Sequence, residues 1–331
     1  MSYQPLPSPD ENHDFPIGDE VSIPRNGTAN SLTLLAPSKT HPRSQTYHHK
    51  RQLSIHSRLS QASNNYLSPP PWSPSITHTL ISIAAGTVMC LFGYEQGVFG
   101  GIIIGQNFNG YFHHPSPSMT GFVTSVYDLG CFAGAVGTLF IGEKLGRKKM
   151  LIVGTIVMAS GIVVQTGATS MQHLLWGRFI AGVGNGGNTA TAPVWHVETA
   201  ALEEKGKAVV KEMVVNVFGF VVSNVITLAC SGIGTEAQWR FPLGIQLIYI
   251  VIILGLVPLL PESPRWLCAR GRDDEARAVL EILSDDDVDT ELMEIRESVK
   301  KEQAVQVSWI GLFKGGTATR RMLLGMGLQV A

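Results

Sequence analysis

Six long apolar stretches lie between residues 77 and 260, and they limit the possible folds more than any other feature of the chain. A bilayer core of about 30 Å is crossed by a helix of about 20 apolar residues. Segments of that kind, with approximate edges, run over 77–104, 119–141, 150–169, 172–197, 207–230 and 240–260. The stretches 142–149 and 170–171 that join neighbours are very short, so those neighbours are expected to form antiparallel hairpins. Charge avoids the region: 15% of the chain is charged, against about 25% in an average globular domain. Few of the 25 basic and 26 acidic residues fall between Ile76 and Pro261. A soluble catalytic domain does not space its charges this way. The net charge of −1 gives no global field for nucleic acid, so the expected surroundings are the lipid bilayer and no nucleic-acid partner is expected.

The flanks read differently. Residues 1–75 carry 11 of the 18 prolines and 13 serines. They have too little apolar surface to offset chain entropy, which predicts a disordered Ser/Pro-rich tail. No apolar run near Met1 forms a signal peptide, so the first span is expected to start insertion. Asn26-Gly27-Thr28 matches a glycosylation sequon, expected to be idle in a cytosolic tail. Lys50-Arg51-Gln52-Leu53-Ser54 resembles a basic-directed phosphorylation site; an ordinary polar tail is the alternative. Residues 262–319 mix charge with helical apolar spacing, notably at 273–283 and 291–301, and read as two or three amphipathic cytosolic helices. Residues 320–331 read as the start of a truncated seventh span, too short to cross a bilayer. Of the four cysteines, Cys90, Cys131 and Cys230 lie in apolar runs and Cys268 follows a basic segment, which argues against a disulfide framework. No CxxC or HExxH occurs; no metal site and no cofactor are expected.

Small residues cluster inside the spans. The runs 130–137 and 182–187 read as packing faces, because in lipid small side chains let helix backbones approach closely. Orientation follows from Lys and Arg. With the tail inside, 23 of the 25 basic residues fall on the inner side, and the outer loops 105–118, 170–171 and 231–239 hold none. Both ends of the chain are therefore expected in the cytosol.

Ionisable groups within spans are costly and read as functional by default. The candidates are Glu95, Asp128, Arg178 and Glu212. At a rise of 1.5 Å per residue, Glu95, Asp128 and Arg178 fall at similar depths, about 9–14 Å below the outer helix ends. Opposite signs at one depth predict a mutually neutralised site inside the bundle. The alternatives are snorkelling for Arg178 and a purely structural hydrogen bond for Asp128. Glu212 lies nearer the cytosol. His173 and His196 show no evident ligand partner, and His196 reads as a helix-end polar residue. No span holds a Ser/His/Asp set, so no catalytic residues and no enzyme activity are expected.

Several motifs in order carry a resemblance: Phe92-Gly93-Tyr94-Glu95-Gln96-Gly97-Val98 in span 1, Gly142-Glu143-Lys144-Leu145-Gly146-Arg147-Lys148 between spans 2 and 3, and Gly177-Arg178-Phe179 with Pro193 and Glu198 on span 4. Trp239-Arg240-Phe241-Pro242 with Gln246 opens span 6, and Pro261-Glu262-Ser263-Pro264-Arg265-Trp266-Leu267 follows it. Over residues 76–331 the chain resembles the N-terminal half of a fungal-type transporter of the sugar porter family, in the major facilitator superfamily. That implies an all-α membrane protein with a six-helix N-terminal bundle over 76–261. It also implies a missing six-span C-terminal half and alternating access around a site near the bilayer midplane. The expected activity is secondary active transport of a sugar or polyol, coupled to a proton, in the plasma membrane. A sensor that does not transport and an inactive fragment of a facilitative transporter are the alternatives.

The resemblance assigns roles by position. Glu95 and Arg178 are the expected proton-coupling pair. Phe92, Glu212, Met213, Asn216 and Gln246 are the expected substrate-binding residues. Glu143, Arg147, Glu198, Lys205, Glu262 and Arg265 are the expected cytosolic gating network. Four positions depart from the family pattern: Glu95 and Glu143 replace Asp, Lys205 replaces Arg and so loses the bidentate fork, and Met213 replaces a sugar-binding Gln. With Met213 in that place, polyols and organic acids join sugars as candidate substrates, and Glu212 and Asn216 are the candidate replacements.

Overall fold

The computed structural model describes residues 72–200, 204–284 and 288–304. The sequon, the Lys50–Ser54 motif, the tail before 72 and the expected start of a seventh span all lie outside these residues. Among the described residues ten α-helices follow in order: α1 Pro74–Ile102, α2 Gln106–Tyr111, α3 Pro117–Leu145, α4 Arg147–Thr166, α5 Met171–Thr199, α6 Lys205–Cys230, α7 Ala237–Leu256, α8 Pro264–Ala269, α9 Asp273–Leu283 and α10 Val288–Ala304. Six of them (α1, α3, α4, α5, α6 and α7) correspond to the six apolar stretches, within a few residues. Lipid offers no hydrogen bonds to an open backbone, so a helix is the form in which each stretch satisfies its own amides. Five of the six are long and apolar enough to cross a membrane. The sixth, α5, spans 29 residues, about 43 Å, and carries Arg178, Asn185, Asn188 and His196.

The polar α5 is tolerated because its neighbours shield it. It packs along α3 and α4 and also touches α1, while α1 packs along α6 and α7. The expected glycine faces lie at the α3–α5 seam: a Cβ on Gly134 would sit 2.0 Å from the carbonyl oxygen of Val183, and one on Gly186 2.0 Å from that of Cys131. A second seam escaped the sequence reading. Gly93 of α1 and Gly219 of α6 lie against the backbones of Asn216 and Cys90, at 1.8 and 2.1 Å for an added Cβ. α3 and α6 are the least covered spans. Phe122, Leu129 and Phe132 of α3, and Val210, Val217, Phe218 and Val221 of α6, remain exposed.

Two connections differ from expectation. Instead of a loop over 142–149, α3 runs to Leu145 and α4 starts at Arg147, with Gly146 at φ +88° as the entire turn; only glycine adopts that angle without strain. Instead of a loop over 105–118, α2 folds back and sets Phe108 against Phe99, Phe112 and Trp239. Residues 264–304 form α8, α9 and α10 at the end of the bundle where α1 begins, here called the basic end. Ser263 caps α8 by accepting from the Trp266 amide at 3.1 Å, with Pro264 in the first turn, a position where a missing N–H costs nothing.

The seams generate a contrast. Gly134→Val is expected to lower stability by about 1–3 kcal/mol or more through overpacking. Gly100→Ala, with nothing within 4 Å of the new methyl, is expected to leave it unchanged or raise it slightly. Thermal unfolding of the two variants in detergent, side by side, checks the pair.

Candidate functional site

The central polar group is held by five helices. Arg178 of α5 and Glu95 of α1 are almost fully buried, with Arg178 Nη1 3.7 Å from Glu95 Oε2. The guanidinium is fixed from other sides: Nε donates to the Val123 carbonyl at 2.9 Å, and Cζ lies 3.9 Å from the Phe99 ring centre and 5.0 Å from that of Tyr127. Snorkelling is therefore not what Arg178 does. Gln165 of α4 donates to Glu95 Oε1 at 3.3 Å, and Gln246 of α7 flanks the same carboxyl. Glu95 Oε2, Arg178 Nη1 and Gln165 Oε1 make no hydrogen bond of ordinary geometry. The pair is close without being tightly bonded, and donors and acceptors are left over around it. Asp128, expected at the same depth, is exposed on α3 and bears on the group only through its charge, which acts on Arg178.

The expected substrate residues divide. Phe92 and Asn216 are half-buried, and Met213 is exposed. Asn216 donates to the Met89 carbonyl at 3.2 Å. Gln246 is wholly buried beside Glu95. Glu212 is buried and turns to α5, where its Oε1 lies 2.8 Å from His196 Nδ1. His196 Nε2 in turn lies 3.0 Å from Ser82 Oγ of α1. His196 stands in the last turn of α5, at the helix end as expected, and is buried and partnered there. Its partners come from two other helices, 114 positions away in the case of Ser82, which a span-by-span search for Ser/His/acid sets cannot see.

The expected gating network gathers at the basic end, with one exception. Arg147 grips Glu198 with both arms, Nε to Oε2 at 2.8 Å and Nη2 to Oε1 at 2.9 Å, the fork geometry that makes such pairs strong. Glu262 Oε1 accepts from the backbone amides of Arg147 at 3.0 Å, Lys148 at 3.1 Å and Ser263 at 3.0 Å. A carboxylate from beyond α7 therefore caps the first turn of α4, where amides lack helical partners. Arg265 pairs with Glu302 of α10 at 2.5 Å. Lys205, Arg265 and Glu198 line a cavity of about 550 Å³ together with Glu291 and Glu294. Glu143 is the exception: its side chain is exposed, and it enters through its carbonyl, which accepts from Trp266 Nε1 at 2.8 Å and Arg270 Nη2 at 2.6 Å. Gln165 and Ser82 were missed in sequence, although a polar side chain inside an apolar stretch was the available signal for both.

Residues 80–331 match the family described as "Sugar (and other) transporter". Among similar proteins, the MFS-type transporter oryC of Aspergillus oryzae is 43% identical over 75% of this chain and 48% of its own length. The sugar transporter STL1 of Saccharomyces cerevisiae is 34% identical over 75% and 47%, and the arabinose-proton symporter of Escherichia coli 34% identical over 75% and 51%. This chain spans about half the length of these relatives. Among solved structures, the proton:xylose symporter XylE aligns with a TM-score of 0.63 at 23% identity, over 70% of this chain and 55% of that one, a likeness of fold.

Burial pushes the Glu262 carboxyl above its ordinary range, against the three amides and Arg147 that hold it down. A carboxyl raised on folding binds its proton more tightly in the native state, so its contribution to stability falls as pH rises from the ordinary value through the raised one. Glu262→Gln keeps the accepting oxygen and is expected to be near-neutral while flattening that slope. Glu262→Ala loses the cap, at about 1–2 kcal/mol. Melting temperatures of the two variants between pH 4 and pH 8 check both.

Proposed function

Because the chain belongs to the sugar (and other) transporter family of the major facilitator superfamily, we propose that it supplies the N-terminal six helices of a transporter that moves a sugar or polyol together with a proton. It is an integral membrane protein. In this reading the transporting unit includes a second set of helices, packed over the exposed faces of α3 and α6, and the basic end lies in the cytosol of a cell bounded by the plasma membrane.

The observation that carries the proton-coupled reading is the buried Glu95–Arg178 pair at 3.7 Å. A buried ion pair stabilises a fold poorly, because desolvation offsets most of its attraction. A looser pair with unsatisfied atoms stabilises it less still. What it does well is switch. When Glu95 is ionised, it attracts Arg178 and ties α1 to α5. When a proton arrives from outside, the attraction ends, Arg178 keeps Val123 and its aromatic neighbours, and α1 is free to shift against α5. Gln165 and Gln246, from α4 and α7, offer polar partners to the carboxyl in either state. The substrate sits on the open side of α1 and α6, where Phe92, Met213 and Asn216 reach the surface, with Gln246 behind them next to the proton site. One charge moved through 100 mV supplies about 2.3 kcal/mol, enough for roughly fifty-fold accumulation.

At the basic end, the Arg147–Glu198 fork and the Glu262 cap tie α4 to α5 and to the segment after α7. In the proposed cycle these ties hold the outward-facing state closed on the cytosolic side.

Two outcomes follow for the full-length transporter in proteoliposomes. Glu95→Gln is expected to abolish accumulation driven by a pH gradient while equilibrative exchange persists; unchanged uphill uptake at neutral external pH sinks the coupling role. Arg147→Gln is expected to raise several-fold the labelling rate of single cysteines placed on the inner face, and unchanged protection counts against the latch.

A further inference from the structure

Ser82, His196 and Glu212 come from α1, α5 and α6 and meet near the basic end. Ser82 Oγ lies 3.0 Å from His196 Nε2, and His196 Nδ1 lies 2.8 Å from Glu212 Oε1. The order of atoms is that of a hydrolase triad, but hydrolysis lacks its second half. Ser82 is mid-helix in α1, where the neighbouring amides are spent on the helix ladder and cannot serve a developing oxyanion.

We propose that His196 and Glu212 together form a second proton-binding site, separate from Glu95 and Arg178, which fastens α6 to α5 when occupied. Histidine is the side chain whose charge changes near neutral pH. With a proton bound, the ring is a cation facing a buried carboxylate, and both of its N–H groups are used, one on Glu212 and one on Ser82. Without it, Glu212 is a buried carboxylate facing a neutral ring, and its hold on α5 weakens. The proton comes from and returns to water at the basic end; the cavity of about 550 Å³ there is lined by Pro193, Val194, Val197 and Glu198, neighbours of His196 along α5, and not by His196 itself.

Among the described residues, the charges nearest the pair are engaged elsewhere or exposed. On α5, Glu198 is taken by Arg147. On α1, His78 Nε2 is engaged by the Leu283 carbonyl at 2.6 Å. On α6, Lys211 is exposed and Lys205 faces the cavity, and Arg265 of α8 pairs with Glu302. Two features suit the site to motion. His196 lies 18 residues from Arg178, about 27 Å along the same helix, so the two sites sit towards opposite ends of α5. Between them Pro193 interrupts α5 and removes one rung of its ladder, so the last turn, with His196 and Glu198, can move apart from the rest. In the proposed symport the pair is a release point at the basic end, and in that role it rests on the transport reading; proton binding itself is tested without transport.

Histidine-selective ¹⁵N labelling of the protein in detergent micelles reads the ring directly. His196→Gln identifies its resonances among the ten histidines; should that variant not fold, Ser82→Ala identifies them by displacement. The expected result is that the His196 ring titrates between pH 5 and pH 9 and that the isosteric Glu212→Gln lowers its proton affinity at least tenfold. A ring that does not titrate in that range, or whose affinity is the same in Glu212→Gln, overturns the proposal and leaves a structural hydrogen bond. A protein that carries no substrate but shows the tenfold change retains the site and loses only the transport reading.

Discussion

A guanidinium buried almost completely among membrane-spanning helices must find its counter-charge where it stands, because lipid supplies none. Arg178 is in that position, and much of the bundle is arranged around it. Its charge fixes α5 in the interior, since every other face of the molecule would leave the group against acyl chains or force it to the surface. α5 can occupy the interior only if its neighbours come close enough to exclude lipid, which is what the glycines at 130, 134, 182 and 186 permit. The carboxylate that answers Arg178 comes from α1, and α1 is held against α6 by its own glycine seam at Gly93 and Gly219. Charge placement and small-residue packing are therefore one design: the seams bring the helices near enough for the pair to meet, and the pair restricts which faces the seams can join.

How much of this was legible in the sequence depended on whether the signal was local. The six helices, the glycine runs on α3 and α5, and the depth match of Glu95 with Arg178 follow from composition and from counting residues along a helix. Asp128 has the same depth but points elsewhere, because depth fixes the height of a group and not its direction around the helix. The Gly93–Gly219 seam and the Ser82–His196–Glu212 cluster were hidden for a related reason. Each is made by residues far apart in the chain, and a single sequence says which residues are polar or small without saying which face which. Glu262 was found through a resemblance in motif, but its physical role as a cap on α4 required coordinates, since a cap supplied from another segment leaves no local spacing to read. Glu143 shows the converse: the motif position is right, and the structure uses its carbonyl instead of its charge.

The two ends of the bundle solve different problems. At the end opposite the basic end, Phe108 and Phe112 pack against Trp239, and Arg240 donates to the carbonyls of Thr166 and Ala168 at 2.7 and 3.0 Å, closing the last turn of α4 with a cation where the helix dipole favours one. At the basic end the first turn of the same helix is closed by the anion of Glu262. α4 is thus capped at both termini by side chains from the two ends of α7, Arg240 in its first turn and Glu262 past its last, which holds α4 and α7 in register.

That arrangement bears on which parts can move. α4 is fixed to α7 at both ends and joined to α5 by close backbone contacts at Gly161 and Gly184, so these three form the stiff part of the bundle. α1 and α6 share a seam with each other; α1 also joins the apolar core with α5 and α7 through Ile81, Ala84, Val88 and Leu91, and the polar ties to α5 are Glu95 with Arg178 and Ser82 and Glu212 with His196. Apolar packing changes little with pH or ligand, whereas a pair of ionisable groups changes sign or strength with one proton. Among the contacts of α1 and α6 with α5, the titratable ones are therefore those whose strength a proton can change. In the proposed cycle the α1–α6 pair is the element that shifts on protonation, and the surface of Phe92, Met213 and Asn216 goes with it.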